Sequence, residues 1–351
     1  MPRPTPRGLT VVTTAALALA SLTTLAAPAS ARTSATGASL PQARIFMVNP
    51  VQSTGDQSLT DSKDSAEAVP ASAYTTAALR NLDASGRLSG KWVNVKSNTG
   101  AAANAASAGG YDRSDDQFEQ VMAYFWVNEA QEYLQGLGFG TELPGANDRV
   151  QPVRINQWGA DNSFFTDKKD EIRFGKGGVD DAEDAEVIIH EYGHAVHEAQ
   201  VPGFGTSSQA GAIGEAFGDY LAVEVGSNAV AAYGWPQRAD LACVADWDSI
   251  AYSAAPHCLR RIDGNKVYAD LEGEVHADGE IWSRALFDIR GALGARVADR
   301  VIVNAQFDFA PDTTFQAAAL TTIETAQRMY GKKVADAVRA AFKDRQIPGI
   351  Q

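Results

Sequence analysis

Cysteine is almost missing from this chain of 351 residues: Cys243 and Cys258 are the only two. No C-x-x-C pair exists and only His257 lies nearby, so a cysteine–histidine zinc site is the weaker reading of them. In an exported protein, two cysteines fifteen positions apart predict an intramolecular disulfide closing a surface loop. Positive charge is also scarce, with 30 Lys and Arg against 43 Asp and Glu, a formal net charge of −13. That balance argues against nucleic acid or an anionic membrane as partner. It suits hard cations, so calcium is a second metal to consider. Beyond the N-terminus, no stretch approaches the roughly 20 apolar residues that cross a bilayer. No internal repeat is present either.

What the chain does have begins with a leader. Arg3 and Arg7 precede an apolar run over residues 9–25, and Ala29-Ser30-Ala31 is a small-residue cleavage site. This is the pattern of a secretory signal peptide over residues 1–31, with a mature, secreted, extracellular protein starting at Arg32. A membrane anchor fits less well, because threonines and a serine interrupt the run.

Residues 32–113 form an N-terminal polar and β region of uncertain role, with strand-like pieces at 43–48 and 91–95. A helix is expected from Ser114, where Asp115 and Asp116 suit the N-terminal dipole and Phe118, Val121, Met122, Phe125 and Trp126 keep helical spacing. Val153 and Ile155 alternate as in a strand. Asp167 to Asp170 read as the turn of a hairpin that joins Phe164-Phe165 to 172–174. Further helices are expected over 185–199, 212–225, 282–293, 314–330 and 333–342. The fold class is α+β, with a β-rich lobe over 114–200 and a helical lobe over 201–351.

Histidine is scarce too, yet two of the five are His190 and His194 in the sequence His190-Glu191-Tyr192-Gly193-His194. On a helix, imidazoles four residues apart share a face one turn apart and can grip one metal ion. Glu191 then stands beside any water on that metal, the arrangement of a zinc hydrolase with a carboxylate general base. His197 continues the face but lies about 10 Å along the axis from His190, too far for the same ion, and is read as a packing or surface residue. Gln200 occupies the position where a metzincin needs histidine. The third ligand is expected to be Glu215, in Gly214-Glu215-Ala216-Phe217-Gly218-Asp219, with Asp219 accepting the free ring N–H of His190. His276, in Glu274-Val275-His276-Ala277-Asp278-Gly279-Glu280-Ile281-Trp282, is a second electrophile placed just before a helix. The acidic run from Asp180 to Glu186 is either a calcium site or a dipole-complementing helix start.

Together these pieces resemble the thermolysin and fungalysin metallopeptidases, the gluzincins whose third zinc ligand is glutamate. The stretch around His276 is nearer to fungalysin. Asn162-Ser163-Phe164-Phe165 resembles the family's substrate-binding edge strand, and the likeness extends roughly from Asp115 to the end. The resemblance implies a two-lobed fold with the zinc helix at the lobe junction, and a zinc endopeptidase acting on polypeptides. It implies His190, His194 and Glu215 as zinc ligands, Glu191 as base and His276 as oxyanion partner. Asn162, Ser163 and either Arg260 or Arg261 would be substrate-binding, Arg260 being the primary candidate. Thr206 and Gly214 depart from the family, replacing a tyrosine and an asparagine, and residues 32–113 leave no room for the family's large inhibitory propeptide. A gluzincin aminopeptidase is the alternative enzyme, although its G-x-M-E-N sequence does not occur. A degenerate fold acting as a binding protein is the alternative outside enzymes.

Overall fold

The computed structural model describes residues 39–235 and 240–351. The signal-peptide reading of residues 1–31 and its cleavage site lie outside the described residues. Strand β1 (Gln42–Phe46) leads through the short helix α1 (Pro50–Thr54) to β2 (Tyr74–Ala78), its antiparallel partner. Ala43, Ile45 and Phe46 of β1 are buried against helix α2 (Asp116–Leu137). Before α2 runs β3 (Val93–Ser97); after it come β4 (Gln151–Ile155), β5 (Phe164–Thr166) and β6 (Glu171–Arg173).

These strands form one sheet in the order β3-β4-β6-β5. β3, β4 and β6 are parallel, whereas β5 runs antiparallel to β6 and ends the sheet. A parallel pair needs a crossover, and α2 supplies it between β3 and β4. Phe118, Val121, Met122, Phe125 and Trp126 of α2 are all buried, which is why this helix is apolar on more than one face. The polar stretch before residue 113 therefore contributes β3 to the same sheet that carries β5.

Helix α3 (Ala185–Gln200) packs on α2 and, from its other face, on α4 (Ser208–Tyr233). Short strands β7 (Cys243–Val244) and β8 (Arg260–Arg261) pair antiparallel. The Cys243–Cys258 disulfide, with Cα atoms 5.6 Å apart, ties the same segment. Helices α5 (Val275–Leu293), α6 (Ala295–Gln306), α7 (Phe315–Tyr330) and α8 (Lys332–Asp344) complete a helical lobe. The architecture is α+β and two-lobed, with α3 where the sheet-bearing and helical parts meet. Among the described residues, no helix is long and apolar enough to cross a membrane.

Several boundaries differ from the sequence expectation. α2 starts at Asp116 because Ser114 is held in a turn, its N–H and hydroxyl both donating to Asp112. α4 continues eight residues past Val225, to Tyr233, where Gly234 at φ 67 is a left-handed stop. α5 begins at Val275 because Glu274 accepts the N–H groups of His276 and Ala277, so His276 sits in the first turn and not before the helix. α6 was not expected from the pattern, although Ala298, Val301, Ile302 and Ala305 line its buried face at helical spacing.

Candidate metal centre and active site

The local sequence of α3 and α4 dictates how closely these helices approach. A Cβ on Gly193 would stand 2.8 Å from the Gly218 Cα, and a Cβ on Gly218 only 2.6 Å from His190 Nδ1. Glycine at both positions is thus what lets α4 lie against the imidazole face of α3. The outcome is that His190, His194 and Glu215 converge. His190 Nε2 lies 3.2 Å from His194 Nε2 and 3.1 Å from Glu215 Oε2, and His194 Nε2 lies 3.6 Å from Glu215 Oε1. Ligand atoms on one tetrahedral zinc, each near 2.1 Å from it, are separated by about 3.4 Å. His197 is not part of this group. It is buried and packed between the rings of Phe204 and Phe217, both tilted to it.

Protonation supports a cation in the same place. Asp219 Oδ1 is 2.8 Å from His190 Nδ1, and a carboxylate only accepts, so Nδ1 carries the proton. The His190 Nε2 lone pair then faces Glu215 Oε2, a buried atom with no hydrogen bond of its own. Two acceptors at that separation repel unless a positive charge lies between them. The same field acts on the titrating groups. Burial opposes charge on His190, yet Asp219 and Glu215 lift it to about 10. Burial likewise opposes ionisation of Glu215, but His194 and His190 hold it well below the usual carboxylate range. A divalent metal competes for these positions with protons. The donor set fits zinc.

Arg260 extends the chain of partners. Its Nε and Nη2 donate to Asp219 at 2.7 Å each, and against the cost of burial this holds Asp219 down at about 2. Arg261, its neighbour on β8, points the other way to Asp240 and Asp263, as alternation along a strand requires. Of the two arginines named from the sequence, Arg260 is the one at the site. At His194 a Cβ on Gly214 would stand 3.6 Å from Nδ1, so the glycine leaves that nitrogen without a side chain from α4.

Glu191 follows His190 on α3 and is buried on the cleft side, where burial, against the nearby charge of His190, raises it to about 7. His276 reaches the same cleft from α5. Its Nδ1 is 2.7 Å from Glu274 and its Nε2 is 3.4 Å from Glu215 Oε2. Asn162 and Ser163, immediately before edge strand β5, line the cleft opposite, and so does Thr206. Ser163 donates its hydroxyl to Asp181. The cleft is about 600 Å³, and a second cavity of about 240 Å³ opens beside it, sharing His190, Glu191, His276, Asn162 and Ser163.

Its lining also includes Asp161, Asp248, Tyr252 and Leu259, which no motif in the sequence marks, and Asp181 from the acidic run. Their positions are set by long-range polar contacts that no local motif reveals. Glu183 accepts from Arg113 and from Trp247 Nε1, which fixes the turn carrying Asp181 beside the one carrying Asp248. Asp184 caps α3 and accepts from Asn49, and Glu186 accepts the Ala245 N–H. The acidic run from Asp180 to Glu186 thus starts the helix and braces the interior, and its Asp184 and Glu186 approach Asp246 within 4.8 Å, a spacing that could hold a cation. Burial first and the neighbouring Asp248 charge second push Asp181 up to about 8, and burial raises Asp248 to about 7.

Residues 203–347 match a model of the family described as thermolysin metallopeptidase, alpha-helical domain. The match begins just after α3 and contains Glu215, Asp219, Arg260 and His276. No curated protein matches the chain. Among solved structures, the precursor of protealysin, a metalloproteinase from Serratia proteamaculans, is similar with a TM-score of 0.54 and 19% identity. The likeness covers 74% of this chain and 86% of that one, and it is a likeness of fold.

Proposed function

We propose that this chain, a thermolysin-like metallopeptidase, is a secreted zinc endopeptidase that hydrolyses bonds within polypeptides. One observation carries the reading: His190, His194 and Glu215 converge at tetrahedral spacing with Glu191 beside them, facing an edge strand across an open cleft. His190, His194 and Glu215 would hold the metal, which when bound supplies Lewis acidity and a water of lowered pKa. Glu191 takes the proton of the attacking water and returns it to the leaving amine. Burial helps it in this, since it keeps the carboxylate basic enough to accept a proton near neutrality. Arg260 and Asp219 act through His190, fixing its tautomer so that Nε2 remains a lone pair.

Substrate is held by this chain's backbone and polar side chains. β5 ends its sheet, so an extended peptide can pair with it by strand addition. Asn162 hydrogen-bonds the peptide backbone near the cleaved bond, and Ser163, tied to Asp181, orients that segment. His276 donates from Nε2 to the developing oxyanion while Glu274 orients its ring at Nδ1. Calcium is a further cation for which Asp184, Glu186 and Asp246, within 4.8 Å of one another, are the candidate ligands.

The test compares a peptide blocked by N-acetylation with its free form. An endopeptidase cuts both inside the chain, and phenanthroline stops it until zinc is restored. An aminopeptidase cuts only the free form, and a binding protein cuts neither.

A further inference from the structure

The cavity of about 240 Å³ has three kinds of lining. His190, Glu191 and His276 join it to the reacting groups, so whatever fills it lies next to the cleaved bond. Val187, Val244 and Leu259 add apolar surface. Asp161, Asp181 and Asp248 add three carboxylates whose oxygens approach within 4.8 Å of one another. Asp181 and Asp248 are buried, at 2% and 5% exposure. The Asp181 Oδ1 atom has no hydrogen-bond partner. Among the described residues no Lys or Arg forms an ion pair with either acid; Arg260, which shares the cavity, is engaged by Asp219.

Buried acids without a cationic partner are costly, and they are retained where a ligand supplies the charge. We infer that this cavity is the side-chain pocket of the peptidase site and takes a lysine or arginine that flanks the cleaved bond, an inference that rests on the endopeptidase reading. The apolar wall suits the methylene stem of such a residue and the carboxylates suit its head. A metal ion fits less well. Calcium needs six to eight oxygens, whereas Asp181 already accepts the Ser163 hydroxyl and Asp248 that of Tyr252.

The experiment digests a denatured protein mixture with the purified enzyme and reads the cut sites by mass spectrometry. Lysine or arginine is expected at one fixed position flanking the cut, enriched about tenfold or more. A peptide from that set should lose about tenfold or more in kcat/KM when its lysine becomes norleucine. Asp248→Asn should remove this difference yet still cut the norleucine peptide, and Asp161→Asn serves if the first variant does not fold. Cutting beside large apolar residues instead, or an unchanged preference in both variants, overturns the inference while leaving the endopeptidase reading intact. So does calcium binding that Asp181→Asn abolishes in an enzyme indifferent to lysine. A second arm separates the two readings: retention of peptides from a glutamate-specific digest, which leaves lysine and arginine internal, on immobilised Glu191→Gln protein. Retention enriched in internal lysine or arginine without any cutting by the wild type keeps the pocket and sinks the peptidase. Retention without that enrichment, or none, sinks the pocket.

Discussion

At the scale of single residues, the centre depends on which atom carries which proton. Asp219 holds the His190 proton on Nδ1 and is itself held by Arg260, so Nε2 is the ring nitrogen left to bind a metal once it displaces the proton there. Asp219→Ala should weaken zinc binding about 10- to 100-fold, read by competition with a chromogenic chelator. An unchanged affinity would show that His190 needs no partner. Away from the metal, Asp181 gives a test on stability. Its folded pKa of about 8 lies above the unfolded value near 3.9, so the folded protein binds the extra proton between these limits. Stability from this group is complete below about pH 4 and is lost as pH rises through about 8. Between pH 5 and 9, the wild-type melting temperature should therefore fall by a few degrees more than that of Asp181→Asn. Parallel profiles would mean that Asp181 titrates as an exposed carboxylate does.

At the scale of elements, the proposed metal ligands come from two helices whose separation is fixed by glycine. Gly218→Ala places a methyl group 2.6 Å from the His190 ring, so either the ring or α4 must move. The expected cost is about 1–3 kcal/mol of stability in denaturant unfolding, accompanied by weaker zinc binding. Loss of neither would mean that α3 and α4 tolerate a wider spacing. The helices themselves were readable in the sequence: α3 and α4 have strong local patterns, and the ligand spacing on α3 follows from helix geometry alone. α6 was not, because it follows α5 after Gly294 with no turn cluster to announce a new element. The start of α5 is displaced because its cap is the side chain of Glu274, outside the Ser, Thr, Asp and Asn that usually mark a helix start.

At the scale of the whole molecule, two halves of the chain meet on α3, one face on α2 and the other on α4. The order of β-rich structure before helices was legible from the change in periodicity. Sheet order was not, since parallel pairing joins β3 to β4 across the length of α2. For the same reason the second cavity stayed hidden: Asp161, Asp181 and Asp248 come from separate segments, brought together by buried contacts of Arg113, Glu183 and Trp247. A motif read along the chain shows ligands on neighbouring turns, as in α3, but not acids that only the fold assembles.

The central claim is that His190, His194 and Glu215 hold zinc and Glu191 performs the proton transfer. Its most direct test is a paired measurement of bound zinc and casein hydrolysis in wild type and Glu191→Gln. The account predicts one zinc per chain in both proteins and a loss of hydrolysis of about 10²- to 10⁴-fold in the variant. Full activity in Glu191→Gln, or wild-type protein that hydrolyses casein without stoichiometric zinc, would contradict it.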